Sequence, residues 1–126
     1  MTESLWGDIP KGDNLKTPIS ILREQAAILG DATDNILVAD VVPNTQRGTV
    51  TLHFYVTAPA LDNYRVHLLQ VRHDVALYPL VIATEWMEYD CQTEEIFKED
   101  LRTVLSSQEV HRILDSLLAQ SKESGN

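Results

Sequence analysis

Between residues 51 and 71 the chain reads TLHFYVTAPALDNYRVHLLQV, two runs of alternating apolar and polar side chains on either side of a Pro-containing break. Alternation with period two predicts half-buried strands, because successive strand side chains point to opposite faces. Leu52, Phe54 and Val56 are the apolar set of the first run. An antiparallel index sum of 120 opposes them to Leu68, Val66 and Tyr64 and closes the hairpin around Pro59, Ala60 and Leu61. The same register sets His53 opposite His67 and Tyr55 opposite Arg65 on the reverse face. A slip of one residue would bury Arg65 or His67 against Phe54, at a high desolvation cost.

The flanking segments carry other periods. Thr17-Pro18 starts a helix, with Thr17 as cap and Pro18 at the first helical position; Ile21, Leu22, Gln25, Ile28 and Leu29 share one face, and Gly30 suits the left-handed end, which predicts a helix over 18–29. Residues 36–42, ILVADVV, are β-branched and apolar on both faces except Asp40, so they predict a strand covered on both sides, ended by Pro43-Asn44. An index sum of 91 between this strand and the next opposes Asp40 to Thr51 and Val38 to His53. LVIATEW, after Pro79, predicts a fourth strand, with Trp86 in phase with Leu80 and Ile82 in the core and Tyr78 and Tyr89 at the ends of the sheet. Helical spacing returns over 94–105 behind Thr93 and over 107–120 behind the capping sequence Ser106-Ser107-Gln108-Glu109. The predicted architecture is α+β: an N-terminal helix, a four-stranded antiparallel meander and two C-terminal helices packed on the sheet. Residues 1–16 read as a flexible tail, 17–121 as one domain and 122–126 as a frayed end. Leu5 and Trp6 give the tail an apolar grip for docking on the domain, a second subunit or a partner.

Composition narrows the function more than the fold. Of 126 residues 44% are hydrophobic and 23% charged, with a net charge of −9. The acidity is uneven: residues 85–126 hold ten acids against four bases. Nucleic-acid binding, which needs clustered Lys and Arg, is not expected, whereas a basic protein partner is. MTESLWGDIPKGDN has neither a basic start nor an apolar run, and no segment approaches the ~20 apolar residues that span a bilayer. A cytoplasmic address without membrane contact is therefore expected, and the single Cys91 fits a reducing compartment.

Candidate chemistry is sparse. His53 and His67, adjacent on one face, could share a metal ion if a third ligand joined them, with Asp40 the nearest choice and His73 further along the strand. That constellation defines the alternative function, a metal-dependent enzyme using a cross-strand histidine pair. Cys91 lies in EWMEYDCQTEE, whose negative charge opposes a reactive thiolate. Glu85, Glu88, Asp90, Glu94 and Glu95 lack the spacing of a calcium loop, and Glu94 and Glu95 belong to the first turn of a helix, where they complement its dipole. No phosphate-binding or nucleophile motif is present, so no cofactor is expected. The main expectation is a small acidic non-enzymatic interaction or regulatory protein of the immunity or inhibitor type. It would use His53, Tyr55, Arg65 and His67 as a binding face and form a homo-oligomer. The order of sheet and helices resembles, in topology alone, the bacterial export chaperone, which implies a chaperone-like binding module.

Overall fold

The computed structural model describes residues 2–13 and 15–124; among these the element order is one helix, five strands and two helices. The first helix, α1 (Pro18–Ala32), starts as predicted: Thr17 Oγ1 accepts from the Ser20 N–H at 3.3 Å, and Pro18 sits where an N–H would have no helical partner. It does not stop at Gly30. That residue is buried inside the helix, where a Cβ would stand 3.1 Å from Asn35 Oδ1, and its carbonyl accepts from the Asn35 N–H at 2.8 Å. Gly30 thus serves close approach of the returning chain. The left-handed residues that reverse the chain are Asp34 and Asn35, at φ 51 and 62.

The strands β1 (Val38–Gln46), β2 (Thr49–Ala58), β3 (Tyr64–His73), β4 (Leu80–Ala83) and β5 (Glu88–Cys91) form one antiparallel meander in sequence order. This is one strand more than predicted. Thr84 Oγ1 accepts from the N–H groups of Trp86 at 3.1 Å and Met87 at 2.9 Å and so turns the chain between β4 and β5. Trp86 therefore lies in a turn, 38% exposed, and not in the core. β5 buries only Cys91, because an edge strand needs little apolar surface.

β1 also differs from expectation. Pro43 does not end it but sits opposite Leu52 on the sheet edge, where a missing N–H breaks no second ladder. Only Val41 of β1 is buried, so the strand is covered on one face and not on both. The β1–β2 turn consists of Arg47 at φ 53 and Gly48 at φ 81, the two-residue left-handed turn that matches strand twist. It opposes Gln46 to Thr49, which makes the index sum 95 and not 91, and it places Asp40 opposite Tyr55.

The β2–β3 hairpin keeps the predicted faces as far as His67 but nowhere the predicted register. Its loop is a 3₁₀ turn at Pro59–Leu61 followed by Asp62 and Asn63, both left-handed, so the chain needs more residues to reverse than three. Tyr55 consequently opposes His67, and Val56 opposes Val66. Beyond that point Leu68 opposes no residue: Phe54 pairs with Leu69, Leu52 with Val71 and Val50 with His73. The extra residue is a bulge, and it lets both Leu68 and Leu69 be buried, at 3% and 0% exposure. It also swaps the faces of everything after it. His73 therefore leaves the face of His67, contrary to expectation, and its Nδ1 lies 2.7 Å from the Asp74 carbonyl oxygen.

All three helices lie on the face of Leu52, Phe54, Val56, Leu69, Val71 and Ile82. α1 supplies Ile21, Leu22 and Ala26 to the core; α2 (Glu94–Leu105) supplies Phe97, Leu101 and Val104, and α3 (Gln108–Ser124) supplies Val110 and Leu117. Thr93 caps α2 as predicted, its Oγ1 accepting from the Ile96 N–H at 3.2 Å. α3 runs on to Ser124, past the expected end at 120. Full burial of a Leu, Val, Ile or Phe side chain stabilises by about 1.5–3 kcal/mol. The helix side therefore carries most of the stability of the fold, and the other face of the sheet stays partly exposed.

Candidate functional site

The uncovered face is built by alternation. β1 contributes Val38, Asp40 and Val42; β2 contributes His53, Tyr55 and Thr57; β3 contributes Arg65 and His67 before the bulge and Gln70 and Arg72 after it; β5 adds Glu88 and Asp90. No helix packs on these residues, and Val38 and Val42 are 42% and 38% exposed.

The four residues expected to form a binding face do come together. Arg65 Cζ stands 3.6 Å above the centre of the Tyr55 ring, a cation–π stack, and Arg65 Nη2 reaches Asp40 Oδ2 at 3.5 Å. His67 meets the Tyr55 ring nearly edge-on, with centroids 5.1 Å apart. His53 Nδ1 and His67 Nε2 are 3.0 Å apart, so one imidazole donates and the other accepts, the tautomers determining which. The imidazoles meet even though they are not opposite each other: His67 sits across from Tyr55 and reaches His53 on the diagonal, a contact that long side chains can make.

Electrostatics distinguish this patch from its surroundings. His67 has its pKa lowered, first by burial and then by His53, while Glu85 from the β4–β5 turn pulls it up. A histidine held this way is chiefly neutral at pH 7 and available as a hydrogen-bond partner. Glu85 was not singled out as a partner of His67 from sequence, since only the extra turn brings it there. On the β5 side, Arg72 and Glu88 pair at 3.6 Å. These exposed ion pairs each contribute between 0 and about 1 kcal/mol, so they order the surface more than they stabilise the fold.

The metal arrangement considered from sequence is not assembled. Asp40 is engaged with Arg65 and not with the imidazoles, His73 faces away, and among the described residues no group of three or more His, Cys, Asp or Glu side chains is placed to hold an ion. Cys91 is buried beneath α2, where its Sγ donates to Asp100 Oδ2 at 3.4 Å. Burial first, and then this hydrogen bond, push its pKa up to about 12, which makes it a poor nucleophile. Leu5 and Trp6 project from the tail at 91% and 81% exposure, so the described chain gives them no docking place of its own. Comparison with protein-family models, with curated proteins and with solved structures returned no significant match to this chain.

Proposed function

We propose that this chain is a non-enzymatic cytoplasmic interaction protein of the inhibitor type, which binds a basic protein partner through the uncovered face of its sheet. One observation carries the reading: a five-stranded sheet covered by helices on one side only, whose other side presents a Tyr–Arg stack and a histidine pair next to exposed valines and the acidic strand β5. Aromatic and Arg side chains are the usual anchors of protein interfaces, and acidic neighbours favour a basic counterpart. The net charge of −9 supports the same sign of partner. The exposed Leu5 and Trp6 supply a second, apolar contact. A free buried thiol is consistent with a reducing compartment.

The test is retention of a partner from the native host by tagged full-length chain, followed by titration with that purified partner. Glu88→Lys with Asp90→Lys should weaken binding at least about tenfold, and so should Tyr55→Ala. The charge-matched pair Glu109→Lys with Asp115→Lys on α3 should leave binding unchanged. Equal losses in both charge-reversed variants would reduce the effect to net charge and sink the reading. Recovery of the chain as a concentration-dependent dimer with no second protein would replace the basic partner by a second copy.

A further inference from the structure

The helical side holds a cleft of about 340 Å³, between the start of α1, the end of α2 and the first turn of α3, that the sheet-face reading does not use. Its lining is unusual for this chain. The protein has only ten Lys and Arg against nineteen acids, yet Lys16, Lys98, Arg102 and His111 all line the cleft, against a single acid, Glu24. Two of these cations are held in place by carboxylates: Lys16 Nζ lies 2.9 Å from Glu24 Oε1, and Lys98 Nζ 2.9 Å from Glu94 Oε2. Arg102 and His111 have no ion pair among the described residues. A guanidinium without a carboxylate is a planar fork of donors ready for two oxygens of one anion.

Helix ends add to this. The first turns of α1 and α3, which carry Ile21 and His111, bring their positive ends to the cleft. The opposing negative end of α2 is partly quenched, because the Arg102 carbonyl accepts both from Ser106 N–H at 2.9 Å and from Ser106 Oγ at 2.6 Å. The floor is apolar, made of Leu101, Leu105 and Ile21. The volume falls at the small end of the range for organic ligands, roughly 300–1,000 Å³.

We propose that this cleft binds a small organic phosphate monoester, with its dianionic head on Arg102, Lys98 and Lys16 and its body on the Ile21–Leu101–Leu105 floor. Among the described residues Arg102 is the unpaired cation of the three, and the ammonium groups of Lys16 and Lys98, each shared with a carboxylate, add donors that a head with three oxygens uses more fully than a carboxylate with two. Guanidinium and ammonium donors bind such a head without a glycine-rich loop.

The experiment is an NMR titration of the full chain with inorganic phosphate, phenyl phosphate and benzoate, following the amides of Ile21, Arg102, Ser106 and His111. Saturable shifts confined to this group are expected, with phenyl phosphate binding tighter than either comparator. Arg102→Gln and Lys98→Gln should each weaken phenyl phosphate at least about tenfold, as loss of a charge-assisted bond does. Arg23→Gln, on another face of α1, should not. Lys98→Gln gives the same readout should Arg102→Gln fail to fold, and an unchanged amide spectrum without ligand establishes folding for each variant. Absence of saturation at millimolar phenyl phosphate, shifts spread equally over Arg47, Arg65 and Arg112, or indifference to both substitutions would overturn the proposal. Equal affinity for phenyl and inorganic phosphate would overturn the role of the floor. None of these outcomes depends on the sheet face.

Discussion

His67 shows how a single side chain records its surroundings. Its pKa lies below the ordinary 6.5 because burial and His53 both disfavour the imidazolium. A histidine depressed in the folded state contributes stability that is present above the unfolded pKa and lost as pH falls below it. Urea midpoints of the wild-type chain should therefore drop between about pH 7 and pH 5 by more than those of His67→Gln, while parallel curves would show that the imidazole pair is not felt. Cys91 and Tyr78 have the opposite sign. Burial is the first cause for both, and each is raised to about 12. Both stay protonated when folded at pH values where the unfolded groups ionise, so their contribution is lost as pH rises toward 12, from about 9 for Cys91 and from about 10 for Tyr78. In native protein at pH 8, iodoacetamide should leave Cys91 unmodified, with labelling only after unfolding; rapid native labelling would contradict its burial under α2. The sequence already suggested an inert thiol from the acids nearby. It could not show that a more distant acid, Asp100, accepts from the sulfur, since that contact needs α2 folded back over β5.

Among the elements, those with strong local signals were legible and those held by distant contacts were not. Thr93 before Glu94 and Glu95 announces α2, and the structure uses it as the cap. Thr93→Ala should cost about 1 kcal/mol in chemical denaturation, and Thr93→Ser should cost little, because only the accepting oxygen matters. β5 was hidden because the alternation in Glu88-Tyr89-Asp90-Cys91 spans only four residues inside an acid-rich stretch, too short to stand out; its strand conformation comes from pairing with β4. The faces of β2 and early β3 were legible from parity alone. The bulge at Leu68 was not, since two adjacent leucines look like an ordinary apolar step until both are seen buried. Leu68→Ala should cost roughly 2–5 kcal/mol in urea unfolding, the range for a core leucine, whereas Val75→Ala in the exposed β3–β4 loop should change it little. Equal effects would mean that the bulge holds no core residue.

At the scale of the whole molecule, helices take one side of the sheet and leave the other bare, and the charge is distributed accordingly. Acids dominate the chain, yet the cleft among the helices collects cations and the open face combines β5 acids with an Arg–Tyr stack. Both tryptophans are outside the core, Trp6 at 81% and Trp86 at 38% exposure. Acrylamide should quench native fluorescence almost as strongly as in urea, and addition of a bound partner should protect it. The helical and strand periods, the inside and outside of β2 and the acidic character were determined by the sequence alone, because burial selects side chains at local spacings whichever partner covers them. Registers, the bulge, the fifth strand, the meeting of His53 with His67 and the gathering of Lys16, Lys98, Arg102 and His111 were decided only in the tertiary structure. They depend on how many residues each turn consumes and on contacts between segments far apart in the chain, and no local pattern encodes either.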